Sequence, residues 1–191
     1  QMTKLAGELA GLEIVRNLNE PTAAALAYGY GKNLNANLAI YDLGGGTFDV
    51  TILKASGNVF EVLSTAGDTY LGGDDFDNRL TRVILIYLQK QHDFNIDLQP
   101  QLRGHIKYLA EHVKKGLTQY DRLQLNEKIR LIEYDEPIDL NLVMSRELFK
   151  SQCAEIIERS FKICDDALSR LPFGVDLIDD VILVGGSTRV P

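Results

Sequence analysis

Residues 42–49 of the 191-residue chain read DLGGGTFD and separate two runs of strand-forming residues, Leu38 to Leu43 and Phe48 to Ala55. A third run, Val59 to Thr65, follows after the turn residues Ser56-Gly57-Asn58. Short connections that contain glycine, between runs of β-branched and other apolar residues, are typical of hairpins. The sequence therefore predicts three consecutive antiparallel strands, with the triple glycine at the first turn.

Helices are predicted on both sides of this three-strand unit. Pro21 suits the first position of a helix, and the Ala-rich stretch from Thr22 to Tyr28 extends it until Gly29 and Gly31. Three further stretches carry apolar residues at helical spacing. They are a helix that starts at Gly72-Gly73-Asp74, with Phe76, Leu80, Val83 or Ile84, and Tyr87 or Leu88 on one stripe; a helix with Leu102, Ile106, Leu109, Val113 and Leu117; and a long helix that Ser145 caps, through Phe149, Ile156, Phe161, Cys164 and Leu168.

The other segments complete a mixed order of helices and strands. Leu5 to Leu12 has the pattern of a helix end, and Glu13 to Leu18 is predicted as a short strand. Gln119 to Val143, which includes Leu131, alternates locally between apolar and polar residues and predicts short strands. Val181 to Val184 has the pattern of a buried strand. This order predicts an α/β fold in which helices flank a sheet.

Charge and hydropathy exclude several classes of function. The formal net charge of -7 disfavours nucleic-acid binding, because it repels a phosphate backbone. The longest wholly apolar run, Val83 to Leu88, is far shorter than the roughly 20 residues of a membrane-spanning helix. Cys153 and Cys164 lie on one predicted helix, roughly 16 Å apart along its axis, which is too far for a disulfide. We therefore predict a cytoplasmic protein that binds neither nucleic acid nor a membrane.

The turn at residues 42–49 is the sharpest candidate for chemistry. Its three glycines leave backbone N–H groups open to an anion, and Thr47 adds a hydroxyl group. Asp42 and Asp49 stand at the two strand ends. A phosphate cradle with metal-facing acids fits this set, and so does a glycine-rich hairpin whose aspartates only cap the turn. A Walker A loop, G-x-x-x-x-G-K-[ST], does not occur in the chain.

Two further glycine pairs are candidates. Gly185-Gly186-Ser187-Thr188-Arg189 follows an apolar strand, and a backbone without Cβ atoms at this position can touch a flat or anionic ligand. Gly72-Gly73-Asp74-Asp75 opens a predicted helix in the same way. Each pair also fits a plain turn followed by a helix cap, so neither pair by itself decides between the two interpretations.

One helix face and one glutamate complete the candidates. Glu111, Lys114, Lys115 and Thr118 share a face about 150° from the apolar stripe of their helix. These groups can bind a ribose and a base, or they can form a solvated face with an ion pair between neighbouring turns. Glu20 precedes Pro21, which is expected to hold it extended at the end of a strand, in a position suited to orienting a water molecule.

Four motifs occur together in one order along the chain. They are Asn19-Glu20-Pro21-Thr22-Ala23-Ala24-Ala25, residues 42–49, the stretch Gly67-Asp68-Thr69-Tyr70-Leu71-Gly72-Gly73-Asp74-Asp75-Phe76-Asp77, and Val184 to Pro191. The combination closely resembles the DnaK-type seventy-kilodalton heat-shock chaperones over nearly the whole chain. The resemblance implies the actin-like, ribonuclease-H-like fold, whose two lobes close over ATP and magnesium. It implies that residues 1–37 are the end of subdomain IA and the crossover helix, that 38–73 and 145–191 are a C-terminally truncated subdomain IIA, and that 74–144 are an inserted α+β subdomain, IIB.

The resemblance also implies roles for single residues. Hydrolysis is assigned to Glu20, Asp42, Thr47 and Asp49, with Asp42 reaching the magnesium ion through water. Binding of ATP or ADP is assigned to Gly44, Gly45, Gly46, Thr47, Gly73, Glu111, Lys114, Lys115, Thr118, Gly185, Gly186, Ser187, Thr188 and Arg189. Lys115 stands where some members of that family have an arginine that stacks on adenine, and residues 119–143 are shorter than is typical.

The implied function is an ATP-driven foldase of which this chain carries one lobe. The implied partners are unfolded client peptides bound by a C-terminal domain that lies outside the chain, a J-domain co-chaperone, and a nucleotide exchange factor on subdomain IIB. Because the phosphate loop and lysine of the first lobe are absent, the chain alone is expected to be inactive. The alternatives are a regulator that binds nucleotide without hydrolysing it, and a sugar kinase or actin-like filament protein of the same fold.

Overall fold

The structure is a computed structural model that describes residues 2–29, 34–57, 59–92, 100–130 and 136–191. Three positions that enter the sequence predictions, Gly31, Asn58 and Leu131, lie outside these ranges. The helices are α1 Met2–Leu9, α2 Glu20–Gly29, α3 Gly73–His92, α4 Pro100–Leu117 and α5 Arg146–Ser169. The strands are β1 Asn35–Leu43, β2 Phe48–Ser56, β3 Val59–Asp68, β4 Arg122–Ile129, β5 Ile138–Ser145 and β6 Asp180–Val184.

The central sheet has the strand order β3-β2-β1-β6. Strands β1, β2 and β3 are antiparallel neighbours, which confirms the two consecutive hairpins. Strand β6 returns after α5 and pairs with β1 in parallel, so the sheet is mixed. The register places Asp42 opposite Asp49 at the end of the first hairpin.

Helices cover both faces of this sheet. Leu38 and Ile40 of β1 point to the face where Ala25 of α2 packs, and they are almost fully buried. The other face, which includes Val50 and Ile52 of β2, joins the larger core with α3, α4 and α5. Since side chains alternate along a strand, Asp42 and Asp49 lie on the α2 face of the sheet. The chain thus has the mixed α/β architecture, with a mixed sheet flanked by helices.

Helices α3 and α4 and the hairpin of β4 and β5 come between β3 and α5 in the chain. Leu80 and Ile84 of α3 and Ile106 and Val113 of α4 are completely buried in the interface of these helices. The predicted short strands are confirmed as an antiparallel pair. The rings of Phe76 and Phe149 stack with centroids 5.8 Å apart, so that α3 also packs on α5.

Helix α5 begins as the sequence predicts. Ser145 is its N-cap, and its side chain accepts a hydrogen bond from the Leu148 N–H at 3.2 Å. The predicted apolar stripe is wrong at Phe161, which is 57% exposed. The buried positions are Phe149, Cys153, Ile156, Ser160 and Ala167, so the stripe passes one residue before Phe161.

Two strand predictions need correction. Residues 12–19 form neither helix nor strand, because no strand in the described part of the chain runs beside Glu13 to Leu18, and a strand needs a hydrogen-bonded neighbour. Strand β6 exists, but it is not buried on both faces: Val181 and Leu183 are 61% and 60% exposed. The reason is that β6 is an edge strand and that α5 packs on β2 and β3 instead.

No helix within the described ranges combines the length and the apolar character that crossing a lipid bilayer requires.

Candidate functional site

The turn between β1 and β2 is closed by its own backbone. The Gly44 N–H donates to the Thr47 carbonyl at 2.9 Å, so this amide is not free for a ligand, contrary to the expectation for all three glycines. Gly45 and Gly46 differ, since among the described residues their amides have no acceptor. A Cβ atom on either residue would have nothing within 4 Å. The turn therefore presents two exposed glycines whose N–H groups, without an acceptor in the described part of the chain, can bind an anion.

The start of α3 packs directly against this turn. The Gly73 N–H donates to the Gly44 carbonyl at 2.9 Å, and the Asp74 N–H donates to the Gly45 carbonyl at 2.7 Å. A Cβ atom on Gly72 would lie 2.6 Å from the Gly46 nitrogen, which is closer than atoms can pack. Asp75 also caps the helix through the Gly72 N–H at 2.8 Å. The glycine pair therefore belongs to the cap of α3, and Gly72 also packs so closely on the turn that no other residue fits there.

The turn after β6 approaches the same backbone from the other side. Gly185 has φ +89°, and a Cβ atom there would run into the Leu43 carbonyl and the Asp42 carboxylate. The Ser187 hydroxyl donates to the Gly44 carbonyl at 2.8 Å, and the Thr188 hydroxyl donates to the Gly185 carbonyl at 2.7 Å. Three chain segments thus meet around Gly44.

Three carboxylates converge beneath the turn. Glu20 is the first residue of α2, and not the extended end of a strand, because the Asn19 carbonyl already accepts the helical hydrogen bond of the Ala23 N–H at 3.0 Å. Burial raises the pKa of Asp42, and the carboxylates of Glu20 and Asp49, with a side-chain hydrogen bond to Glu20, raise it further. Like charges this close repel one another, so this corner of the molecule favours a cation.

The arrangement of acidic, histidine and cysteine side chains decides whether the protein can ligate a metal ion directly. Within the described part of the chain, no three His, Cys, Asp or Glu side chains are arranged to hold a metal ion directly. The predicted contact between Asp42 and magnesium runs through water, and it stays a prediction.

A cavity of about 300 Å³ lies between α3, α4 and the turn after β6. This volume is at the lower end of the range for small-molecule sites. Several predicted site residues from distant parts of the chain meet there, namely Gly45, Gly73, Glu111, Lys114, Lys115, Thr118, Gly186 and Ser187. Asp74, Asp77, Lys107 and Val190 complete the lining. Other predicted residues lie outside this lining: Glu20, Asp42, Gly44, Gly46, Thr47, Asp49, Gly185, Thr188 and Arg189.

The polar face of α4 divides into two parts. Glu111 and Lys115 form an ion pair at 2.7 Å, and its hydrogen bond lowers the pKa of Glu111 and raises that of Lys115. Lys114 is only 8% exposed, so the alternative interpretation of a solvated face does not apply to it. It turns towards α3, where the Asp77 carboxylate accepts from its ammonium group at 2.7 Å. The ion pair of the solvated-face interpretation is therefore present, and the binding of a ribose and a base by this face stays a prediction.

A second cavity, of about 540 Å³, lies between α3 and α5. It is larger than the first, but it contains none of the predicted site residues. Its lining includes the exposed charged residues Arg82, Glu158 and Lys162. The predicted glycines and polar side chains therefore meet at the smaller cavity and not at the larger one.

Comparisons with known proteins cover the whole chain. A family model described as "Hsp70 protein" matches residues 1–191. The chain belongs to the Hsp70 protein family. It is 40% identical over its whole length to a protein of Guillardia theta called "Chaperone protein dnaK", of which it covers 30%. It is 39% identical to "Chaperone protein DnaK" of Mycoplasmopsis synoviae (strain 53) and 41% identical to "Chaperone protein dnaK" of Cyanophora paradoxa, again over its whole length, and it covers 32% and 31% of them.

The Hsp70 chain thus spans about 30% of the length of these curated relatives. The lining of its smaller cavity includes four residues that were not among the predicted site residues: Asp74, Asp77, Lys107 and Val190. A signal for Asp77 exists: it is the only acid on the buried stripe of α3, between Gly73 and Leu80, and it is 4% exposed. Carboxylates are almost never fully buried unless they are paired, so its position on that stripe points to a cationic partner.

Proposed function

We propose that this Hsp70 chain is the nucleotide-binding second lobe of a DnaK-type chaperone ATPase, with the actin-like, ribonuclease-H-like fold. The observation that carries the proposal is the meeting of three segments, the turn at Gly44–Gly46, the start of α3 and the turn after β6, beside a cavity that α4 completes. In this assignment residues 38–73 and 145–191 are subdomain IIA, residues 74–144 are subdomain IIB, and residues 1–37 end subdomain IA and form the crossover helix.

The cavity has groups suited to a nucleoside. Glu111 can accept hydrogen bonds from ribose hydroxyls, and the ammonium groups of Lys114 and Lys115 can donate them. The stem of Lys115 offers a surface for the base, and Thr118 adds a hydroxyl group. Gly186 and Ser187 form the opposite wall without bulky side chains, and Thr188 and Arg189 follow directly.

The neighbouring turn suits the phosphates. The amides of Gly45 and Gly46 have no acceptor among the described residues, and neither residue has a Cβ atom that an anion could clash with. Thr47, the residue after the glycines, contributes a hydroxyl group. A phosphate chain that extends from the nucleoside cavity over Gly45, which lines it, would reach the carboxylate corner.

The carboxylate corner fits a magnesium ion. Magnesium keeps several waters and is held by one or two carboxylates together with substrate phosphates, and Asp42 and Asp49 supply such acids opposite one another. When bound, the ion neutralises charge on the phosphate oxygens. We assign the water-mediated contact to Asp42, and we assign to Glu20 the orientation of the attacking water. Thr47 and Asp49 complete the hydrolytic set.

The wider activity belongs to the whole protein. For the whole protein we propose ATP hydrolysis coupled to binding of unfolded client peptides, with a J-domain co-chaperone and a nucleotide exchange factor as partners. The relatives, which are named chaperone proteins, support the chaperone role. The same relatives disfavour a non-hydrolysing regulator, a sugar kinase or a filament protein. Hydrolysis requires phosphate contacts from both lobes, so we propose that the chain alone binds nucleotide weakly and does not turn it over.

Titration of the chain with adenosine and with ADP tests the proposal. We expect weak binding of both ligands with similar affinity, because base and ribose supply most of the contacts. Glu111→Ala should weaken both by about tenfold, the value of one hydrogen bond to a charged group. The control is Glu158→Ala, an acid of the α3–α5 cavity, which should leave both affinities unchanged. Tight binding of ADP, or no effect of Glu111→Ala, would contradict the assignment.

A further inference from the structure

Asp77 and Lys114 form a buried ion pair that joins α3 to α4. The residues are 4% and 8% exposed, and the distance from the Lys114 Nζ atom to the Asp77 Oδ2 atom is 2.7 Å. The same ammonium group donates to the Gly73 carbonyl at 3.0 Å. Lys114 therefore contacts Gly73, and the Gly73 N–H in turn binds α3 to the glycine turn.

Stability alone does not explain this pair. Asp77 Oδ1 is buried and, among the described residues, has no hydrogen-bond partner. Burial raises the pKa of Asp77, and Lys114 only partly opposes this rise. A buried ion pair contributes little to folding compared with apolar residues of the same size, and an unsatisfied buried acceptor is costly. Such a group calls for an explanation other than packing.

The position of the ammonium group supplies that explanation. A lysine has three N–H donors, and two of those of Lys114 are fixed by Asp77 and Gly73. Lys114 also lines the cavity, so the third donor is available to a ligand there. A Cβ atom on Gly73 would lie 3.2 Å from the Lys114 Nζ atom and 2.6 Å from the Ser187 hydroxyl, so this corner is closely packed. The hydrogen bonds to Asp77 and Gly73 therefore hold the ammonium group at this corner.

We propose that Asp77 is a positioning residue of the nucleoside site, which aims the third N–H of Lys114 at a ribose hydroxyl. This rests on the proposed nucleotide-binding function and adds a specificity to it. The site selects a ligand that presents a hydroxyl acceptor at the sugar, and it discriminates against deoxy-nucleosides. Asp77 lines the cavity but acts through Lys114, because its Oδ2 atom already accepts from the ammonium group and its Oδ1 atom is buried.

The experiment compares adenosine with 2′-deoxyadenosine and 3′-deoxyadenosine, by titration of the chain and of its Asp77→Asn variant. The unaltered chain should bind adenosine about tenfold more tightly than at least one deoxy analogue. Asp77→Asn should bind adenosine about tenfold more weakly and lose most of this preference. In a Lys114→Met background, Asp77→Asn should cause no further loss. The control is Glu155→Gln, which removes a different ion pair between helices, that with Arg79, and should change nothing.

Several results would overturn the proposal. One is an Asp77→Asn variant that keeps its preference for adenosine over the deoxy analogues. Another is a loss of adenosine affinity on Asp77→Asn that is equal in the unaltered chain and in the Lys114→Met background, which would indicate a purely structural role of Asp77. If Asp77→Asn does not fold, Asp77→Glu keeps the charge but moves the carboxylate, and it should still weaken adenosine binding severalfold; unchanged binding would contradict the proposal.

A readout without ligand separates this inference from the proposed function. Lys114 should resist reductive methylation in the unaltered chain and react at least tenfold faster in Asp77→Asn, because an ammonium group without its partner leaves the buried position. Failure of the chain to bind adenosine, with this protection pattern intact, would overturn both the nucleoside site and the ligand role of the pair. An equal rate in the two proteins, with adenosine bound normally, would overturn the role of Asp77 alone.

Discussion

Replacing Gly72 with alanine should separate the glycine turn from α3. The new Cβ atom would lie 2.6 Å from the Gly46 nitrogen and 2.7 Å from the carbonyl carbon and oxygen of Gly45. These are backbone atoms, so no side chain can rotate away to make room. The contact with α3, which two backbone hydrogen bonds of 2.9 and 2.7 Å maintain, must open instead.

The size of the effect follows from these contacts. Two backbone hydrogen bonds are worth about 1 kcal/mol each, and overpacking of a closely packed site costs about 1–3 kcal/mol more. We expect Gly72→Ala to lower the free energy of unfolding by about 3–5 kcal/mol, and the Tm by roughly 6–20 °C for a chain of this size.

Thermal and urea unfolding of Gly72→Ala and Gly46→Ala provides the assay. Gly46→Ala is the matched control, because its Cβ atom would meet nothing within 4 Å. It should change stability by less than about 1 kcal/mol, or increase it slightly by restricting the unfolded chain. Equal stability of the two variants would show that the turn and α3 are not in the close contact described here.

Three other predictions concern charges, thiols and turnover. Asp42→Asn should raise the free energy of unfolding at pH 7 by up to about 1 kcal/mol, because two aspartates face each other across the hairpin. The folded-state pKa of Asp42 lies above its ordinary 3.8, so the folded chain binds the proton more tightly than the unfolded chain, and the stability that protonated Asp42 contributes is lost as pH rises through the raised pKa. Urea unfolding between pH 4 and 7 should therefore show a free energy of unfolding that falls with pH, less steeply in Asp42→Asn than in the unaltered chain. Equal slopes in the two proteins would refute the assignment. Burial raises the pKa of Cys153 to about 11, so this thiol should react with a thiol reagent at pH 8 only on unfolding. Rapid labelling of Cys153 in the native chain, with Cys164 replaced by serine, would be inconsistent with its buried position. In the whole protein, Asp42→Asn and Thr47→Ala should lower the rate of ATP hydrolysis much more than the affinity for nucleotide, and equal losses of both would make these residues ordinary binding groups.

Local signals in the sequence predict most of the fold. The hairpins follow from glycine-bearing turns between apolar runs, and the start of α5 follows from Ser145 as its cap. The strand predicted at residues 13–18 fails because a strand depends on a neighbour that local sequence does not reveal. The prediction that β6 is buried fails for a related reason. An apolar run shows that a strand can be buried, but it does not show which helix covers it.

The candidate site was predictable in composition but not in arrangement. Helical periodicity puts Lys114 on the same face as Glu111, but it says nothing about which helix lies beside that face. The contact with Asp77 joins positions 37 residues apart and depends on the packing of α3 against α4. Likewise, the close contact of Gly72 with Gly46 arises only when the start of α3 meets the turn.

The most direct test of the nucleotide-binding assignment is an NMR titration of the isotopically labelled chain with adenosine. We predict that shift changes concentrate on the amides that line the smaller cavity, at Gly73, Lys115, Thr118 and Ser187. The amides of Glu155 and Glu158, beside the larger cavity between α3 and α5, should not move. Saturable shifts confined to the larger cavity, or no saturable shifts at all, would contradict the account.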